Sequence, residues 1–352
     1  MKRGHLLSAV AVAAGLAAFA PAARAASDKP YKVYISNNFV GNDWRQQMLR
    51  SVDVAARKPP LAKRVHLTVD NVETTTQAQI NSLNNIIREK PDAILVDAGS
   101  GDALNPTIER ACAAGIVVVS FDQVVTAECA YKLQSNFDSM GANQAAWMAA
   151  AIGGQGKVLI DRGLAGAPVA ERFVHLFEEV LKRSPGIEIV GYYNGNYALG
   201  PEQAGVANLL AANPQIDGIL TQAYGTGAMK ALQEAGRKMV PIVGAAFNGT
   251  AVACLQTPGV TCVLGANPPY LSAEALRLAV DVLDGKIPPA KMVLLDNPLL
   301  TNAPNDGAYL PGARLATIEL GKSAFPDLAP GLSLPITPDW VEITAAEAAG
   351  TK

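Results

Sequence analysis

Residues 93–123 of the sequence read AILVDAGSGDALNPTIERACAAGIVVVSFDQ. Two apolar, β-branched runs, 93–98 and 116–121, flank an amphipathic segment that ends at Gly115, as helices commonly do. Runs this apolar are typical of strands that helices cover on both faces of a parallel sheet. The segment therefore predicts a strand–helix–strand unit. Asp122 follows the second strand and is predicted to lie outside the sheet, at its carboxyl end.

The same alternation of short apolar runs and amphipathic segments continues on both sides of this unit. Further strands are predicted at 31–36, 65–70, 157–162, 187–193, 217–222, 241–246 and 261–266. Repeated strand–helix units favour doubly wound α/β sheets, and these strands are too many for one ordinary sheet. We therefore predict two α/β domains, with the break near the polar stretch 133–144.

The domain bounds predicted from this pattern divide the chain unevenly. The N-terminal domain comprises 26–134 plus about 267–300, and the C-terminal domain comprises 135–266 plus part of 300–352. The last segment has few helical signals and is rich in proline, so it is predicted to be an extension along the surface, with Trp340 as its candidate anchor.

The first 25 residues have the pattern of a signal peptide. Lys2 and Arg3 precede an apolar run from Leu6 to Ala20, and a small-residue cleavage site ends at Ala25. The alternative is a membrane anchor, but the run is shorter than the ~18–20 residues that a span requires. We predict export with cleavage near Ala25.

Charge and cysteine content exclude several classes of protein. The net charge of −2 becomes more negative when the cationic leader is removed, which argues against a nucleic-acid partner. An even number of cysteines in an exported chain favours disulfides, here Cys112–Cys129 and Cys254–Cys262, over four buried thiols. No C-x-x-C motif and no G-x-S-x-G motif occur, and histidines are few, so we predict no metal site, no catalytic residues and no cofactor.

Polar and aromatic residues recur in the loops that follow the predicted strands. Carboxylates and amides satisfy hydroxyl groups, and aromatic rings cover the apolar faces of a sugar. The candidates of this kind are Asn42, Asp43, Trp44, Asp122, Tyr197, Asn248 and Asn267. Because ligands bind beyond the carboxyl ends of strands in such sheets, they predict a cleft for a polyhydroxy ligand.

These motifs resemble those of the type I periplasmic sugar-binding proteins of ABC importers, the ribose- and galactose-binding group. The resemblance covers the chain to about residue 290 and depends on Asn42-Asp43-Trp44, on residues 90–122 quoted in part above, on LLAANPQIDGILTQ (209–222), on GAMKALQEAG (227–236) and on IVGAAFNGT (242–250). It implies two α/β domains joined by three crossing strands, closure around one small ligand, and delivery to a membrane permease from the periplasm, with a monomer as the default.

The resemblance also assigns roles to individual residues. It implies that Asp122 accepts sugar hydroxyls, that Trp44 and Tyr197 stack on the ligand from the two domains, and that Arg172 donates to it. Three positions depart from the family pattern: Gln123 replaces an arginine, Asn248 replaces an aspartate, and Ala266, next to Asn267, replaces a glutamine. The resulting pocket is less charged, which favours a neutral monosaccharide or sugar alcohol over ribose itself.

Two alternatives remain open at this stage, and a third is set aside. The binding domain could serve a chemoreceptor or sensor kinase instead of a permease. The protein could be a periplasmic enzyme that acts on sugars, which needs two carboxylates across a cleft, and Asp43 with Asp122 is the pair that we would propose for it. A lac-repressor-type regulator shares the fold, but a leader occupies the place of its DNA-binding helices.

Overall fold

The computed structural model describes residues 29–39, 42–72, 75–165, 168–303 and 314–351. The strands, in chain order, are β1 (Tyr31–Asn37), β2 (Val65–Asn71), β3 (Ala93–Asp97), β4 (Val117–Phe121), β5 (Tyr131–Ser135), β6 (Gln155–Asp161), β7 (Gly186–Tyr193), β8 (Gly218–Leu220), β9 (Ile242–Ala245), β10 (Cys262–Gly265), β11 (Met292–Leu295), β12 (Leu299–Thr301) and β13 (Leu315–Thr317). The helices are α1 (Asp43–Arg57), α2 (Thr76–Arg88), α3 (Asn105–Ala113), α4 (Phe137–Ala151), α5 (Pro168–Leu181), α6 (Leu199–Ala212), α7 (Thr226–Glu234), α8 (Asn248–Gln256), α9 (Leu271–Leu283) and α10 (Ala345–Ala349). The predicted signal peptide, 1–25, lies outside the described residues.

The strands form two sheets, one for each α/β domain. Within the described residues the first sheet has the order β11-β5-β4-β3-β1-β2, and its pairs are parallel. The second has the order β13-β12-β10-β9-β8-β6-β7, and it is parallel apart from the β10–β12 pair. The predicted class, two doubly wound parallel-sheet domains, is confirmed.

Within the described residues the chain changes sheet three times, at short connections that lie side by side. These are β5 to α4, β10 to α9, and β11 to β12, and a single small pocket is lined by residues of all three. Sheet membership therefore supports the domain bounds given above, which we propose for the chain: β11 and α9 return to the N-terminal domain, and β12 and β13 extend the second sheet.

Helices cover both faces of both sheets, which is why the strands are so apolar. In the N-terminal domain, Met48 of α1 and Leu276 of α9 pack on one face, and Leu83 of α2 and Ile108 of α3 pack on the other. In the C-terminal domain, Trp147 of α4 and its neighbours in α5 form one layer, while α6, α7 and α8 form the opposite layer. Because all four layers are filled, each sheet holds the loops at its carboxyl edge rigidly.

Residues 318–351 form the predicted extension, which crosses the surfaces of both domains. The Trp340 indole donates to Glu274 Oε1 of α9 at 3.0 Å and packs beside Val341, Ala55 and Ala273. The candidate anchor of the extension thus lies against the N-terminal domain.

All four cysteines are in the predicted disulfides, Cys112–Cys129 and Cys254–Cys262. Each joins the end of a helix to a nearby strand or loop, α3 to the loop before β5 in the first case and α8 to β10 in the second. Within the described ranges, no helix combines the length and the apolar character needed to cross a bilayer.

Candidate functional site

Asp122 lies where the sequence predicts it, just past the carboxyl end of β4. Its backbone adopts the left-handed conformation, with φ of 57°, which is costly for a residue with a Cβ atom. The carboxylate accepts a hydrogen bond from Asn267 Nδ2 at 2.9 Å and lies 3.9 Å from the Arg45 guanidinium. Burial raises the pKa of Asp122, and the contacts with Asn267 and Arg45 oppose that rise. The backbone strain is consistent with a side chain held in place for binding.

Asn267 connects the predicted site residues of the N-terminal domain. It follows β10, in the second connection between the sheets, and its Oδ1 accepts from Ser135 Oγ at 2.8 Å. Its backbone carbonyl accepts from the Trp44 indole Nε1 at 2.7 Å. Trp44 is thereby fixed at the start of α1, half-buried, with its hydrogen-bonding group already used, so that its ring faces remain for packing. The structure brings Trp44, Asp122 and Asn267 together.

Arg45 is part of this cluster, although the sequence analysis did not single it out. It is only 4% exposed, donates to Asn37 Oδ1 at 3.1 Å, and forms an ion pair with the buried Asp97. Its guanidinium also lies over the Trp44 ring, 5.5 Å from the centroid. Burial lowers the pKa of Arg45, and the Asp122 carboxylate counteracts this. Because one guanidinium is shared by two carboxylates, the cluster has carboxylate oxygens left over that can accept further hydrogen bonds.

Gln123 extends the same cluster. With its amide oriented so that both polar atoms are satisfied, it accepts from Arg45 Nη2 at 3.0 Å and donates to the Ala98 carbonyl at 2.9 Å. The family pattern places an arginine at 123, and here a guanidinium reaches the same neighbourhood from α1 instead. Gln123 therefore supports Arg45.

The remaining predicted residues of the first loop have local roles. The Asn42 side chain accepts from Arg45 N at 2.8 Å and so caps the N-terminus of α1. Asp43 is exposed in the first helical turn, where a negative charge is favourable. It is also near enough to Tyr224 of the C-terminal domain to raise the pKa of that phenol, after the larger effect of burial. Asp43 and Tyr224 therefore lie on different domains within electrostatic range of each other.

Asp161 organises the C-terminal side of the cleft and was missed. It ends β6 and is fully buried, and its carboxylate accepts from Gly163 N and Gly195 N, each at 2.7 Å, and from Gln222 N at 3.3 Å. Burial raises the pKa of Asp161, and these backbone donors oppose the shift. Gly163 has φ of 63°, and a Cβ atom there would collide with Gln222. Three strand-end loops thus converge on one carboxylate.

Aromatic residues line the same side. Tyr197 is 38% exposed and, like Asn196, has φ of 51°, so this predicted contact residue lies in a strained loop after β7. The rings of Tyr224 and Phe247 stack with centroids 4.9 Å apart. Tyr224 was also missed. Trp44 follows β1 of the N-terminal domain, whereas these rings follow β7, β8 and β9 of the C-terminal domain.

Two predicted contact residues are engaged elsewhere. Asn248, at the start of α8, is 1% exposed, and its side chain hydrogen-bonds the C-terminal extension: Oδ1 accepts from Phe325 N, and Nδ2 donates to three carbonyls. Arg172, on α5, is 55% exposed at its side chain and pairs with Asp138. Neither is directed into the cluster around Asp122, and a ligand contact for them stays a prediction.

Some of the residues that were not predicted could have been found from the sequence. Asp97 and Asp161 end apolar strands as Asp122 does, so the argument applied to Asp122 applies to them equally. For Arg45 no comparable signal exists, because an arginine in an amphipathic helix is ordinarily exposed. Among the described residues, no cluster of histidine, cysteine and carboxylate side chains could hold a metal ion.

Comparison with known proteins agrees with this geometry. Residues 33–287 match the model of a periplasmic binding protein domain. A xylitol-binding protein from Mycolicibacterium smegmatis is 28% identical over 187 residues, 52% of this chain and 54% of that protein, so the match spans about half of that relative. A ribose import binding protein from Bacillus subtilis is 20% identical over 261 residues, covering 73% of this chain and 83% of that protein.

A solved structure is similar over most of its length. The ABC transporter solute-binding protein from Thermobispora bispora has a TM-score of 0.61 and 27% sequence identity, covering 75% of this chain and 83% of its own. The family match extends over well more than half of the chain, and it confirms the resemblance predicted from the motifs. The chain belongs to the periplasmic binding protein domain family.

Proposed function

We propose that this protein captures a small neutral monosaccharide or sugar alcohol between its two domains and delivers it to an ABC importer in the periplasm. The observation that carries the proposal is the connected cluster of Trp44, Arg45, Asp122 and Asn267 at the carboxyl edge of the first sheet. This cluster offers a charged acceptor beside an aromatic face, the two features that a sugar or polyol requires.

The charge balance favours a neutral ligand. Arg45 is already matched by the buried Asp97 and lies close to Asp122, so this guanidinium is not left unpaired for an anionic group. Carboxylates accept hydrogen bonds from hydroxyls, and a fully paired hydroxyl in a closed cleft is favourable. Relatives that bind xylitol and ribose by name support this ligand class.

We further propose that the protein binds its ligand without catalysing a reaction. The chain acts as a monomeric carrier, without a cofactor or a nucleic-acid partner, and its division into the domains given above provides the two surfaces that close on the ligand. A permease recognises the ligand-bound form. Binding favours the closed arrangement because only there do both domains contact the ligand.

A thermal-shift panel tests the proposal. Pentoses, hexoses, sugar alcohols and amino acids are each added at millimolar concentration to the mature protein. Ligand at 100 times its Kd adds about 2.7 kcal/mol to the free energy of unfolding, so one sugar or polyol class should raise the Tm by several degrees. No rise with any sugar or polyol, or chemical turnover of one, would contradict the proposal.

The Trp44→Ala variant then tests the site. Loss of the ring should weaken binding of the panel's best ligand by about 2 kcal/mol or more, roughly 30-fold in Kd, as for other buried aromatic contacts. Tyr131→Ala, which removes a partly buried ring from the amino end of β5, is the matched control and should leave Kd unchanged. Equal affinities for both variants would remove Trp44 from the site.

A further inference from the structure

Residues 325–336, which we call the strap, are fixed to the C-terminal domain by a buried set of hydrogen bonds. Asn248 Nδ2 donates to the carbonyls of Phe325, Leu328 and Ala329 at 2.9–3.2 Å, and Asn248 Oδ1 accepts from Phe325 N at 2.7 Å. The first backbone N–H groups of α8 are used as well, since Asn248 N donates to Leu332 O at 2.7 Å. The strap thereby supplies partners for the N-terminus of this helix.

The same strap is fixed to the N-terminal domain through Gln47 of α1. Gln47 is 1% exposed, and both of its polar atoms bond the backbone of one residue: Nε2 donates to Ser333 O at 2.9 Å and Oε1 accepts from Ser333 N at 2.8 Å. This pair of hydrogen bonds resembles the pair that two residues exchange in a β-sheet, except that a side-chain amide takes the place of one backbone.

Successive residues of the strap therefore bind different domains. Ser333 pairs with Gln47 of the N-terminal domain, whereas Leu334 N donates to Ala246 O of the C-terminal domain at 2.8 Å. Leu332 and Leu334 are buried in the apolar core of the C-terminal domain. The two domains are therefore joined by hydrogen bonds to two adjacent residues of one segment.

The chain beyond the strap is fixed to the N-terminal domain. The Arg50 guanidinium donates to Ala348 O at 2.7 Å, Lys58 pairs with Glu347 at 2.7 Å, and Trp340 bonds Glu274. The strap cannot dissociate from α1 progressively from the C-terminus of the chain, because the residues on both sides of Ser333 in the sequence are also bound.

We propose that the strap is a fourth connection between the domains, which holds them together in the absence of ligand and restricts their opening. It lies beside the covalent connection from β11 to β12, since Pro335 of the strap lines the same pocket as Asp296 and Asn297. Any rotation that separates α1 from α8 must break either the Gln47–Ser333 pair or the larger Asn248 set. Gln47 makes fewer hydrogen bonds to the strap than Asn248 does, so the Gln47–Ser333 pair is the one that breaks when the domains separate.

Small-angle X-ray scattering on the ligand-free protein tests this inference independently of what the ligand is. Gln47→Met keeps the side-chain volume and removes both hydrogen bonds to Ser333. Gln144→Met is the matched control, because Gln144 is equally buried but bonds Gly244 O inside the C-terminal domain, at 2.9 Å. The radius of gyration should increase for Gln47→Met and stay unchanged for Gln144→Met.

Two outcomes would overturn the inference: a radius of gyration for Gln47→Met equal to that of the unaltered protein, or an equal increase for both variants. If Gln47→Met does not fold, amide hydrogen exchange in the unaltered protein decides. Ser333 N and Leu334 N are neighbours whose partners lie on different domains. If the amide of Ser333 exchanges at a rate within about tenfold of that of Leu334, the strap stays bound to both domains, as proposed. If Ser333 exchanges faster than that, the proposal is contradicted.

Discussion

At the scale of single residues, the site consists of carboxylates at strand ends and the groups that hold them. Asp122 could be predicted because an apolar strand ends on it, and the resemblance assigned it a role. Arg45 could not, because its burial depends on Asp97 and Asp122, which the fold brings from distant strands. The environment that keeps this guanidinium buried is made only by the tertiary structure.

Asn248 provides the residue-scale prediction, since its sequence position indicates ligand contact while its structure shows a bond to the strap. Asn248→Asp replaces the donor that serves three carbonyls with an acceptor, which leaves those carbonyls facing a carboxylate. We expect a loss of about 2 kcal/mol or more in the free energy of unfolding, together with faster tryptic cleavage at the exposed Lys322.

Urea unfolding and a proteolysis time course measure these two effects. Asn81→Asp, at an exposed position of α2, is the control and should behave like the unaltered protein. If Asn248→Asp kept full stability and resistance to trypsin while losing ligand affinity, Asn248 would be a ligand residue and not an anchor of the strap.

At the scale of elements, the strands buried on both faces were the most predictable. Each apolar run predicted as a strand contains one in the structure. β5 was missed because its sequence, YKLQS, buries only alternate residues, and β11 to β13 because they are three or four residues long in a proline-rich segment. Short strands at the margins of a sheet depend on neighbours that the local sequence does not reveal.

The junction of α6 and α7 gives a prediction for pH. Glu202 of α6 is fully buried against the N-terminus of α7 and accepts from Gly225 N and Ala228 N. Burial raises the pKa of Glu202 to about 7 from 4.5, these N–H groups oppose the rise, and the Asp161 carboxylate adds to it. Because the folded-state pKa is the higher one, the stabilisation is complete below pH 4.5 and is lost as pH rises through 7.

Glu202→Gln should therefore flatten part of the pH profile of stability. Between pH 4.5 and 7 the unaltered protein should lose roughly 3 kcal/mol relative to Glu202→Gln, as the size of the pKa shift implies. Urea unfolding at several pH values measures this, with Glu234→Gln, an exposed position of α7, as the control. Parallel profiles for the unaltered protein and Glu202→Gln would show that Glu202 does not titrate in this range.

At the scale of the whole molecule, the chain forms two α/β domains, and the strap joins them beside the connection from β11 to β12. Both disulfides and the fold class followed from the sequence, because cysteine spacing and strand–helix alternation are local patterns. The path of residues 318–351 did not, since it is set by contacts with both domains. We predict that the cluster of Asp122 and Trp44 faces the aromatic residues of the C-terminal domain across the ligand-binding cleft, and that the strap limits how far this cleft opens.

A crystal structure of the mature protein with the tightest-binding sugar or polyol would test this account most directly. We predict that the ligand lies between the two sheets, with a hydroxyl within hydrogen-bond distance of the Asp122 carboxylate and its C–H face against the Trp44 ring. A ligand bound outside the cleft, or inside it without contact to Asp122 and Trp44, would contradict the assignment of the site.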